Sequence, residues 1–114
     1  MRIPVATVVL VGALAVGAAC GSKSPPDVAP APKGNDAELV GGRAVYVANC
    51  QRCHAPRGQG LTGPRLAGVV TGSFPNLQNE INVVTNGAGA MPGWGAKLSA
   101  AEIRAVVRYT REVL

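Results

Sequence analysis

Cys50-Gln51-Arg52-Cys53-His54 puts two thiols and an imidazole within one short stretch, and His54 is the only histidine in the chain. The residues ahead, Gly41 to Asn49, read as a helix. A structural zinc site needs four ligands, usually thiolates and imidazoles. Cys50, Cys53 and His54 supply only three, and the remaining cysteine, Cys20, stands far upstream. A thioredoxin-like dithiol needs a strand ahead of it in a βαβ setting, and the helical pattern disfavours that. A plain Cys50–Cys53 disulfide leaves His54 without a purpose.

Covalent haem attachment accounts for all three residues. C-x-x-C-H is its specific signature. On a helical turn, residues i and i+3 are neighbours on one face, so both thiols can reach the two vinyl groups of one porphyrin. The next residue is then placed to offer its imidazole to the iron. The expectation is one haem c bound through Cys50 and Cys53, with His54 as an axial ligand. With His54 used, Met91 is the thioether available for the other face, because Met1 lies in the leader. It sits in a Gly/Pro-rich loop, Asn86 to Gly95 (NGAGAMPGWG), that can fold over a flat cofactor. Core filling is the bland use of a lone methionine, but no apolar periodicity surrounds this one. A His/Met pair raises the reduction potential relative to His alone.

The chain has 114 residues and reads as three parts. Residues 1–19 carry Arg2 and then no charge until Lys23, the layout of a secretory signal peptide. The apolar run Ile3–Ala19, 17 residues, lies at the bottom of the membrane-spanning range of ~17–25. The stretch LAVGAAC, Leu14 to Cys20, resembles the lipobox of bacterial lipoproteins, which implies lipidation at Cys20 and membrane attachment. Gly17 departs from that pattern, so ordinary cleavage after Ala19 stays open. Lipidation would consume the odd thiol. Residues 20–35 are Pro/Ala-rich with nothing to bury, and read as a tether or an inert leader. At ~3.1 Å per residue such a segment could reach roughly 45 Å. Residues 36–114 form the folded domain, small enough to need a staple or a cofactor.

The local signals in that domain are helical. Asn35 or Asp36 can cap a first helix that shows Leu39, Gly42 and Tyr46 on one face. A short helix over Leu77–Asn86 stops at Gly87. Ser99-Ala100-Ala101-Glu102 is a capping box, followed by Ile103, Val106, Val107, Thr110 and Val113 at helical spacing. No stretch alternates as a strand. The run Gly58 to Gly63 (GQGLTG) matches G-x-G-x-x-G but lacks the strand and helix of a dinucleotide site.

From roughly Leu39 to Leu114 the sequence resembles the small bacterial class I c-type cytochromes. The run from Gly42 through CQRCH to His54, the segment GPRLAG (Gly63 to Gly68), the methionine loop and the terminal helix carry the likeness. It implies an all-α cytochrome c fold, with three to four short helices wrapped around one covalent haem. It also implies that the Pro64 carbonyl accepts a hydrogen bond from the ligand imidazole and that Leu66 packs on the porphyrin. Gly42, Tyr46 and Tyr109 match the family's crossing of first and last helices.

An iron closed on both faces exchanges electrons and little else. The expected function is a one-electron carrier, not an enzyme, working between redox partner proteins outside the cytoplasmic membrane. The domain is expected to be monomeric. Two alternatives are a haem sensor or gas-binding protein with a displaceable sixth ligand, and an electron-entry subunit of a larger complex. Arg52, Arg57, Arg65 and Lys97 flank the haem segments and either steer an acidic partner or are ordinary solvated charge. Arg104, Arg108 and Arg111 read as a solvated helix face. Trp94 either packs or donates its indole N–H to a propionate. Nothing points to nucleic acid.

Overall fold

The computed structural model describes residues 27–114. The signal segment 1–19 and the lipidation site at Cys20 lie outside the described residues. The order of elements is α1 (Ala37–Val45), a π-helical segment (Tyr46–Cys50), α2 (Gln51–His54), α3 (Val70–Ser73), α4 (Leu77–Asn86) and α5 (Ala100–Glu112). The first three run on as one rod, because the residues at their joints keep right-handed helical dihedrals. Among the described residues, β-pairing is limited to one isolated bridge, between Ala88 and Met91.

Local chemistry starts these helices. Asp36 caps α1, its Oδ1 accepting from the amides of Glu38 (2.9 Å) and Leu39 (3.1 Å), which satisfies donors that have no partner within the helix. Asn76 caps α4 by accepting from the Gln78 amide at 2.8 Å. The capping box of α5 is complete: Ser99 Oγ accepts from the Glu102 amide, and Glu102 accepts from the Ser99 amide at 2.8 Å.

α1 and α5 cross at a small residue. A Cβ on Gly42 would land on the carbonyl oxygen of Ala105 and 2.9 Å from Tyr109 Cβ. Only glycine permits that approach, which explains a residue that otherwise costs a helix ~1 kcal/mol. One turn on, Tyr46 and Tyr109 meet with ring centroids 5.4 Å apart and planes tilted by 47°, a favoured aromatic arrangement. Tyr46 donates to the Ala55 carbonyl at 2.7 Å, so the crossing is tied to the residue after His54. The largest fully buried side chains are Tyr46, Tyr109, Val106 and Val107. That is a thin core for a domain of this size.

Two expectations are corrected. Residues 27–35 are not a free tether. Ala29 is 3% exposed and joins the Val45–Tyr46–Val106–Tyr109 cluster. Arg43 forks onto its carbonyl at 3.0 and 2.9 Å, and Tyr109 donates to the Pro30 carbonyl at 2.8 Å. A Pro/Ala segment has little side chain to bury, yet its backbone carbonyls are strong acceptors. The domain therefore reaches back to Asp27, whose carboxylate accepts from Gln59 at 3.0 Å.

The second correction concerns α5, whose arginines are not simply a solvated face. Arg108 binds Asp36, Glu38 and Glu112 at 2.6–3.0 Å, and these bonds raise its pKa further. Arg111 pairs with the buried Glu80 at 3.1 Å. Arg104 alone remains mainly exposed, at 57%, with a single pair to Glu38.

Candidate haem site

The π-helical segment sits directly before the Cys-x-x-Cys-His run. Its wider turn is closed by the Gln51 amide on the Tyr46 carbonyl, and it shifts the phase of the rod between the tyrosine crossing and the two cysteines. Insertions of this kind mark functional positions in helices. Cys50 and Cys53 are both partly buried. Burial, and secondarily the nearby Cys53, would push an uncombined Cys50 thiol up to about 11, which disfavours a nucleophile or a dithiol redox pair.

Right after His54 the backbone turns sharply at Ala55, with φ 66° and ψ 157°. This region is close to glycine-only and stores ~1–3 kcal/mol. The turn lets residues 58–63 fold back on the site, where the Gly60 amide donates to the His54 carbonyl (2.9 Å) and the Gly63 amide to Cys53 (2.7 Å). The G-x-G-x-x-G match is this haem-flanking loop, preceded by a helix and not by a strand.

His54 is buried, and its Nδ1 lies 2.8 Å from the Pro64 carbonyl oxygen. A carbonyl can only accept, so Nδ1 carries the proton, which leaves Nε2 as the nitrogen that could bind a metal. An imidazole held this way is oriented and made a better donor to a metal. Gly63 was not singled out from sequence, yet a Cβ there would stand 2.9 Å from His54 Cε1 and 3.0 Å from Nδ1. The signal was available as the glycine directly before Pro64.

Met91 lies in a loop that is fastened, not slack. Ala88 and Met91 exchange backbone hydrogen bonds at 3.1 and 3.0 Å across Gly89, whose φ is 56°. Trp94 and Gly95 donate to the Val84 and Thr85 carbonyls at the end of α4. Two adjoining cavities, of about 270 and 230 Å³, are both bordered by Cys50, His54, Pro64 and Met91. Jointly they fall within the ~300–1,000 Å³ expected of a cofactor cleft. The first reaches Cys53 and Trp94; the second reaches Leu66, Val83, Val84 and Val107. Cys50, Cys53, His54, Pro64, Leu66, Met91 and Trp94 thus each border one cavity or both. Trp94 is buried beneath Arg52 and Lys97, whose charged groups lie 6.0 and 5.4 Å from its ring. Among the described residues, no three His, Cys, Asp or Glu side chains converge as a cage for a bare metal ion.

A mostly apolar cleft, two thiols on one helical turn and an imidazole with a free Nε2 fit a porphyrin and its iron. The comparisons agree. The family model described as cytochrome c oxidase, cbb3-type, subunit III matches residues 37–109, and the chain belongs to that family, among the monohaem class I c-type cytochromes. It is similar to cytochrome c6 of Chlorolobion braunii, 34% identical over 80 residues, covering 65% of this chain and 89% of that protein. Cytochrome c6 of Picosynechococcus sp. is 35% identical over 83 residues, with 64% and 71% covered. The crystal structure of cytochrome c6 from the diatom Phaeodactylum tricornutum superposes with a TM-score of 0.56 at 32% identity, over 63% of this chain and 88% of that one. Cytochrome cL from Hyphomicrobium denitrificans, at 23% identity and TM-score 0.60, shares the fold; the match covers 67% of this chain and 47% of that one.

The architecture is therefore the all-α cytochrome c fold. One haem c is held covalently through Cys50 and Cys53. The chain is a cytochrome c6-like electron carrier, not an enzyme, and works with redox partner proteins.

Proposed function

We propose that His54 and Met91 close the haem iron from its two faces, and that the chain shuttles single electrons between redox proteins outside the cytoplasmic membrane. The observation that carries this reading is the 2.8 Å contact between His54 Nδ1 and the Pro64 carbonyl, made beside the cavities that Met91 also borders. When bound, the haem supplies one-electron redox chemistry. The residues supply the rest. Pro64 fixes the imidazole tautomer, and Gly63 lets the loop lie against the ring. The fastened turn 88–91 presents Met91 at a fixed place, and Leu66, Val84 and Val107 keep water out. A site so braced changes little on gaining or losing an electron. Trp94 lines the same cavity beneath two cations, a setting suited to a propionate.

Export follows from the apolar leader 1–19. Lipidation at Cys20 would hold the domain at a membrane through the residues ahead of Asp27. Among the described residues, no helix is long and apolar enough to cross a membrane. A second reading, an electron-entry domain docked on a larger oxidoreductase, is favoured by the family's own description. The match over most of the length of cytochromes c6 favours the free carrier. Near-infrared absorption of the oxidised protein tests the ligand pair. A sulfur-to-iron charge-transfer band that vanishes in Met91→Ala is expected. Absence of the band in the wild type, with rapid carbon monoxide binding on reduction, would establish an open site instead. Co-elution with a large partner after detergent extraction would replace the shuttle with the docked domain.

A further inference from the structure

Glu80 is the only buried carboxylate among the described residues, at 5% exposed. It borders the same cavity as Cys50, His54 and Met91, between α4 and α5. Oε1 accepts from Thr110 Oγ1 at 2.6 Å, and Oε2 accepts from Arg111 Nη1 at 3.1 Å. The Thr110 hydroxyl has one proton and a second acceptor, the Val107 carbonyl at 2.8 Å. Arg111 Nη1 also donates to the Phe74 carbonyl at 2.8 Å.

A buried ion pair of this kind is weak evidence for stability, since apolar residues of similar volume commonly serve as well. Val83, Val84, Val106 and Val107 already give this wall an apolar alternative. The arrangement is also directional. Glu80 and Thr110 border the cavity, whereas Arg111 does not. The pair is therefore a dipole with its negative end toward the cleft, in surroundings where charge is poorly screened. A centre that alternates between a more positive oxidised form and a less positive reduced form interacts more favourably with that negative end when oxidised.

We propose that Glu80, held by Thr110 and Arg111, is a potential-setting residue that lowers the reduction potential of this electron carrier. This rests on the haem reading of the cleft and adds a determinant of the driving force. Arg111 offsets part of the effect, so the two residues act with opposite sign.

Spectroelectrochemical titration of the haem-loaded protein at neutral pH, with Glu80→Gln and Arg111→Gln beside the wild type, tests it. Glu80→Gln keeps an acceptor for Thr110 and removes the charge. At a fixed electrode potential its oxidised-to-reduced ratio is expected to fall about threefold to tenfold, a rise in midpoint of ~30–60 mV at 59 mV per decade. Arg111→Gln uncovers the carboxylate and is expected to move the midpoint downward. An unchanged midpoint in Glu80→Gln, or shifts of the same sign in both variants, makes the pair a mere bracket between helices and overturns the proposal. If Glu80→Gln does not accumulate, Arg111→Gln alone decides: a downward shift supports the proposal, and an unchanged or upward one overturns it. A wild-type protein without haem would instead overturn the reading of the cleft itself.

Discussion

Gly63 stands against the His54 ring, and its replacement should be felt there first. In Gly63→Ala the added methyl meets His54 at 2.9 Å, so ring or loop must shift. The expected loss is ~1–3 kcal/mol, the usual range for overpacking, read as a lower melting temperature of the haem-loaded protein. With His54 on the iron as proposed, a changed ligand-field spectrum should accompany it, because the His54–Pro64 bond moves. Ala55 should behave in the opposite way. Its φ of 66° strains any residue with a side chain, so Ala55→Gly should leave thermal stability level or raise it. A fall of ~1 kcal/mol, ordinary for Ala→Gly in a helix, would show that the turn is not strained. Residue chemistry was the most legible part of the site. Cys50 and Cys53 declare themselves by spacing, and the chain's only histidine, His54, and the one methionine beyond Met1, Met91, both border the cleft. Gly63 carries a weaker signal, its place directly before Pro64, and Glu80 carries none, because its partners Thr110 and Arg111 lie 30 and 31 residues along the chain.

At the scale of elements, short-range rules read well wherever a helix is decided by its own ends. The box at Ser99 and Glu102 and the span Leu77–Asn86 are of this kind. The π-helical segment left no trace in the pattern, since the helix beyond it, Gln51–His54, is too short to display the shifted phase. Residues 27–35 were misread because composition reports side-chain burial, whereas this strap is held by its carbonyls. A chain beginning at Asp36 loses the three hydrogen bonds to the Ala29 and Pro30 carbonyls, and should accordingly unfold about 1.5–4.5 kcal/mol more easily than one beginning at Asp27, at ~0.5–1.5 kcal/mol per bond. Equal melting temperatures would show that the strap is only resting on the helices. The caps also predict an acid response. The Leu39 amide, and after it Arg108, hold the Asp36 carboxyl below its ordinary 3.8. The Ser99 amide, and then its hydroxyl, hold Glu102 below 4.5. Groups depressed on folding stabilise fully above their unfolded values. Stability should therefore be level above pH 4.5 and decline as pH falls through the lowered values. Denaturant unfolding at stepped pH measures it, and Ser99→Ala should flatten part of the decline.

Charge on the molecule is paired in one place and left unpaired in another. Asp36, Glu38 and Glu112 are tied to Arg108 on the α1–α5 side. Arg52 and Lys97 sit over Trp94 beside the cleft, and no ion pair to either is present among the described residues. A small anionic oxidant such as ferricyanide should therefore react faster at low ionic strength and slow as salt screens the field, with the salt dependence reduced in Arg52→Gln. The thin core and the cleft have a single explanation at this scale: a helical cage is completed by a flat group bonded to it. The most direct measurement is a denaturing mass spectrum of protein made in a host that matures c-type haem. Expected is a chain carrying one haem through Cys50 and Cys53, and bare, colourless polypeptide for Cys50→Ser with Cys53→Ser. A wild-type mass equal to the polypeptide alone, or a double variant that stays covalently red, would contradict it.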